Sequence, residues 1–131
     1  MLGLDTNVLL RYLVRDDEKQ ARTADARIAE GAAENGRFFV NHVVLCELAW
    51  TLDRTYGLAR EDIAVTIQCV LSTAQFVIEE KQDVVRALQD FSATGADFAD
   101  CLIGRKNASS GCDRTLTFDK RAKGLSAFEL I

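Results

Sequence analysis

Apolar and polar positions along this chain fall into two kinds of block. Five short apolar runs, MLGL, RFFVN, QFVIEE, DRTLTF and AFELI, read as strands. Between them lie longer stretches with apolar residues at helical spacing. Residues 6–14 place Val8, Leu9, Tyr12 and Leu13 on one side of a helix. Residues 16–36 form a second, more polar helix, with Asp16 or Asp17 at its start and Gly36 closing the loop beyond it. Residues 43–56 are amphipathic and end at Gly57; residues 60–73 follow, then 81–95 ending at Gly95, and 97–111 stopped by Gly111. A short turn, DKRAKG, precedes the last strand. Strands separated by helices of this length need crossover connections, which predicts a parallel sheet with helices on both faces.

Composition narrows the class. The 131 residues suit one domain, 1–131, with no proline, repeat or low-complexity stretch to mark a boundary. The chain is 48% hydrophobic and 27% charged, as expected of a soluble globular protein. No apolar run nears the about 18 residues of a membrane span. No basic stretch followed by an apolar one opens the chain, so a cytoplasmic location is expected. The four cysteines show no metal-binding spacing. Cys46, Cys69 and Cys101 fall inside apolar helical patterns as small hydrophobes, and Cys112 in a loop; all are expected to be reduced thiols. A net charge of −4 is the wrong sign for a broad nucleic-acid-gripping face. It does not exclude a nuclease whose acids converge on cations.

The acids carry the chemical signal. Asp5 follows the first strand and Asp119 the fourth, at the sheet edge where α/β folds gather their chemistry. Asp97 and Asp100 share one face of a helix. Glu47 is embedded in the apolar segment VVLCELAW, where a charge is unexpected. Each has an ordinary explanation: Asp5 and Asp97 as helix N-caps, Asp119 as a turn opener, Asp100 as a solvated residue. Jointly they imply a cluster of repelling carboxylates that a hard divalent cation, Mg2+ or Mn2+, would neutralise. The lone histidine, His42, comes at a strand end; a structural role is favoured there over a general base, and a two-histidine ribonuclease mechanism is excluded by count.

Four segments, LDTNVLL, LCELAWTL, DFADCLIG and TLTFDKR, in this order and spacing, make the chain resemble PIN-domain ribonucleases, most closely the VapC-like toxins of bacterial toxin–antitoxin pairs. The resemblance runs over essentially the whole chain. It implies a three-layer α/β/α fold around a central parallel sheet of about four to five strands. It also implies an Mg2+- or Mn2+-dependent nuclease that cuts RNA. Asp5, Glu47, Asp100 and Asp119 match the family's acids, and Asp97 a further acid one turn earlier. Thr6 and Asn7 match the polar pair after the first acid, and Thr117 the hydroxyl near the last. Asp5, Glu47 and Asp100 would hold one ion, with Asp119 or Asp97 placing a second ion or a water. Attack by water would leave a 3′-hydroxyl and a 5′-phosphate. Arg11, Arg15, Arg105, Lys106, Lys120 and Arg121 are candidate RNA contacts. Arg105 and Lys106 stand after Gly104 where the family usually has small residues. The family also implies a homodimer, formed here by some of Val44, Leu48, Trp50, Ile63, Ile67 and Val70, and a cognate antitoxin that plugs the acidic pocket.

Other readings fit less well. A housekeeping PIN-like nuclease without an antitoxin keeps the same chemistry. A phospho-receiver domain needs an acidic pair after its first strand and a lysine after its fifth. A dehalogenase-like phosphatase needs D-x-D where this chain has Asp5, Thr6 and Asn7. A PIN fold that only binds would have no need of all these acids.

Overall fold

The computed structural model describes residues 1–131. In chain order the elements are β1 (Leu2–Gly3), α1 (Thr6–Leu13), α2 (Glu18–Ala33), β2 (Phe38–Val40), α3 (His42–Arg54), α4 (Arg60–Ser72), β3 (Phe76–Ile78), α5 (Lys81–Ala93), α6 (Phe98–Ser109), β4 (Thr115–Thr117), a 3-10 turn (Lys120–Gly124) and β5 (Phe128–Leu130). Every strand and helix expected from the pattern is present. Every strand pairing is parallel, and six helices accompany the strands in a three-layer α/β/α arrangement. The five strands are hydrogen-bonded as two ladders. One runs β1-β2-β3, with Leu2 opposite Phe38 and Phe38 opposite Phe76; the other pairs β4 with β5. No helix is long and apolar enough to cross a membrane.

Helix α3 is central because its inward face is continuous. Leu45, Leu48 and Leu52 are fully buried at helical spacing, in the same core cluster as β2's Phe38 and Val40. Each such side chain contributes about 1.5–3 kcal/mol relative to exposure. Asn41 starts the helix by accepting from the Val44 N–H at 2.9 Å. Gly57 ends it with φ at +63°, a conformation that favours glycine. Of the apolar residues expected on α3 and α4, Val44, Leu48, Ile63, Ile67 and Val70 are core, whereas Trp50 is 54% exposed.

The alternative caps of α2 are resolved. Asp17 accepts from the Gln20 N–H at 3.0 Å, while Asp16 pairs with Arg11 at 2.8 Å and accepts from the Tyr56 hydroxyl at 2.6 Å. Two expectations are corrected. Cys69 lies within an apolar-looking segment but is exposed, because α4 buries Ile63, Ile67, Val70 and Leu71 instead. Glu47 is also exposed: its apolar sequence neighbours Leu45 and Leu48 turn inward, and the helical period turns Glu47 out. All four cysteines are free, as expected.

The turn after α2 is closed by Gly36, whose N–H donates to the Gly31 carbonyl at 2.7 Å. A Cβ on residue 36 would lie 2.7 Å from that same oxygen, so no side-chain adjustment relieves the clash. Gly36→Ala is expected to destabilise the protein by about 1–3 kcal/mol, read as a lower urea midpoint at unchanged m-value. An unchanged midpoint would mean the turn opens freely.

Candidate active site

Asp5 stands at the junction of β1 and α1. The Leu4 N–H still donates to the Phe39 carbonyl, so the ladder carries the backbone up to Asp5. Its own carbonyl accepts from Leu9, but its side chain caps nothing. Asp97 occupies the corresponding position before α6, again without a side-chain capping bond. The ordinary explanation of an aspartate at a helix start therefore holds for neither. Asp5, Glu47, Asp97 and Asp100 take part in no ion pair.

Asp97 is placed by its surroundings. The Arg60 guanidinium on α4 donates to the carbonyls of Phe91, Thr94 and Ala96 at 2.7, 3.0 and 2.9 Å, and lies over the Phe91 ring at 3.9 Å. This side chain fixes the turn from α5 into α6, and with it Asp97. Glu47 and Asp97 together line a depression of about 240 Å³ with Cys46, Trp50 and Ala99. Burial, and next the Asp97 charge, push the Cys46 thiol up to about 11. Burial pushes Cys101 up to about 12. Neither supplies a thiolate nucleophile at neutral pH.

Asp100, one turn beyond Asp97, is half-buried. Its pKa is raised first by burial, then by the charges of Asp97 and Asp119. Protonated Asp100 is favoured beside Asp119, and the Asp119 carboxylate beside it is stabilised. Asp119 shifts the opposite way, because the Arg121 guanidinium and backbone N–H both bond its carboxylate. Thr117, expected to support the last acid, accepts from the Asp119 N–H at 3.0 Å. As expected of a turn opener, Asp119 also caps the 3-10 turn.

Asp97, Asp100 and Asp119 are thus one electrostatic group, and Glu47 shares a depression with Asp97. Asp5 lies on α1's side of α3 and Asp97 on α6's, since both helices pack against α3. The expected closed nest is not formed as the side chains stand: no three Asp, Glu, His or Cys side chains close on a point that would hold one ion. The Thr6 hydroxyl, beside Asp5, is buried and has no hydrogen-bond partner. Asn7 lines a surface depression with Arg11 and Gln20.

Among the expected RNA contacts, Arg11 is bonded to Asp16, Arg15 to Asp25, Arg105 to Asp90 and Arg121 to Asp119. Lys106 and Lys120 are exposed and enter no ion pair. His42 is buried; its Nε2 donates to the Glu79 carbonyl at 2.6 Å and its backbone N–H to the Glu79 carboxylate at 2.7 Å. It ties the start of α3 to the end of β3, the structural role favoured from sequence. What the residue pattern did not reveal is the positioning role of Arg60. Its only signal is a basic residue at the head of an otherwise ordinary amphipathic helix.

Asp100→Asn removes the charge and keeps a donor for Asp119, so the variant is expected to melt higher than the parent at about pH 7 in chelator. The folded state holds the Asp100 proton more tightly than the unfolded chain does. Asp100 therefore disfavours folding as pH rises above the ordinary carboxylate range, and ceases to do so in acid below it. The advantage should be gone near pH 3. Equal melting temperatures at pH 7 would mean that neither burial nor the neighbouring charges disfavour ionised Asp100.

Comparison with known proteins gives the family. The chain is 31% identical over 122 residues to the VapC ribonuclease of Aquifex aeolicus (strain VF5), covering 93% of this chain and 90% of that protein. No solved structure gives a significant match. The PIN domain family model matches residues 3–127, from the first strand almost to the last, and the chain belongs to the PIN domain family.

Proposed function

We propose that this protein is a divalent-metal-dependent endoribonuclease toxin held silent by a cognate antitoxin. The observation that carries the reading is the grouping of Asp97, Asp100 and Asp119, in which burial first, and then the charges of the other two, raise Asp100. The similarity to a protein named a ribonuclease supports RNA as the substrate class.

The donors fit a hard cation in kind. All are carboxylate oxygens, the ligands Mg2+ and Mn2+ prefer, and no thiolate or paired histidine competes. Asp5, Glu47, Asp100 and Asp119 are the residues that would hold it, with Asp97 orienting a water or a second ion. When bound, the metal lowers the pKa of water and offsets charge on the scissile phosphate. Lys106 and Lys120, unpaired and exposed, are the cations free to meet the phosphate backbone. Arg11, Arg15 and Arg105 would first have to leave their carboxylate partners. Thr117 holds the backbone of Asp119 in place, and Arg60 that of Asp97. Self-association would cover the outward apolar residues of α3 and α4, where Val43, Trp50 and Val65 are 65%, 54% and 62% exposed. An acidic pocket also suits a cationic antitoxin segment.

Asp5→Asn tests the reading. It is expected to lower metal-dependent RNA cleavage by about a hundredfold or more, since losing even an indirect metal contact typically costs 10–100-fold. Products of the parent should carry 5′-phosphate and 3′-hydroxyl ends, and chelator should abolish cleavage. Undiminished turnover in the variant would remove the acids from the chemistry.

A further inference from the structure

Arg121 is the cation bonded to an acid of the site. Its backbone N–H donates to Asp119 Oδ1 at 2.9 Å. Its Nε donates to Oδ1 at 3.2 Å and to Oδ2 at 3.1 Å, and its Nη2 to Oδ2 at 2.8 Å. Both carboxylate oxygens of Asp119 are thereby engaged by one residue, in the bidentate geometry that makes arginine a strong carboxylate partner. The guanidinium also feels the charges of Asp97 and Asp100. It is the charge that partly offsets their repulsion. The Arg121 side chain is 63% exposed, so it can swing into solvent without disturbing the core. Lys120, its neighbour, is exposed and bonded to no acid.

A divalent ion on Asp119 would need lone pairs that Arg121 occupies, and two cations on one carboxylate repel. We propose that Arg121 is an in-chain competitor for the metal, seated on Asp119 in the ion-free protein and displaced when Asp119 becomes a ligand. The proposal rests on the metal-dependent reading above. It rests also on the observation that both oxygens of Asp119 are already engaged by its own turn.

The test is calorimetric titration of Mn2+ into the full chain at fixed pH and ionic strength, without RNA. Arg121→Ala is expected to bind Mn2+ about three- to tenfold more tightly than the parent, the range of an exposed charge pair with good geometry. Arg121→Lys, which keeps the charge but loses the fork, should fall between. In an Asp119→Asn background, Arg121→Ala should change nothing. Lys120→Ala controls for the general loss of positive charge and should gain clearly less. Equal affinity in the parent and Arg121→Ala, or an equal gain in Lys120→Ala, overturns the competitor role while leaving metal binding intact. No Mn2+ binding by any of these proteins overturns the metal reading and the competitor role with it.

Discussion

The repulsion among Asp97, Asp100 and Asp119 is the constraint around which one end of this molecule is organised. Carboxylates in a group disperse or take up protons unless packing holds their backbones and a cation lowers the field. Packing is supplied by α6 itself. Phe98, Cys101 and Leu102 are buried to within 2% and alternate with the acids, so the helical period sends apolar side chains inward and carboxylates outward. Arg60 secures the turn that leads into this helix, and the 3-10 turn secures Asp119. The cation is Arg121.

Helix α3 divides its faces in the same way. Leu45, Leu48, Ala49 and Leu52 lie in the core, while Val43, Glu47 and Trp50 lie outward at i, i+4 and i+7. Glu47 therefore reaches the depression it shares with Asp97 without any charge being buried. The Arg54 guanidinium, 5.5 Å from the centre of the Trp50 ring, screens part of this apolar face. The acidic group is thus built from Glu47 and Asp100 on helices whose opposite faces make the core, and from Asp97 and Asp119 at the starts of α6 and of the 3-10 turn. Asp100→Asn is nearly isosteric, so its stability reports the cost of the half-buried charge more than packing.

The cations follow a different logic. Arg11, Arg15 and Arg105 each complete a local ion pair with an acid of another element or turn. Side chains of one type thus serve three purposes in one small domain: tethering backbone carbonyls, pairing surface acids and sitting on a site carboxylate. Residue type alone does not distinguish these, because the guanidinium offers the same donors in each setting.

Element order, the parallel strand direction, the glycine stops and the family were all legible along the chain. Each is written in local sequence: helical periodicity, turn chemistry, the length of the crossovers between strands, or a motif such as LDTNVLL. The exposure of Glu47, Cys69 and Trp50 was not legible, since an apolar window does not say which side of a helix meets the core. Nor was the division of the five strands into two ladders, which depends on spacing between segments far apart in the chain. The coupling of Asp100 to Asp119 and the hold of Arg60 on the turn before Asp97 likewise arise only when distant elements meet. By itself the sequence determined which residues could do chemistry. The tertiary structure decided which carboxylates feel one another and which guanidinium already sits on one of them, because electrostatic energy depends on distance through space.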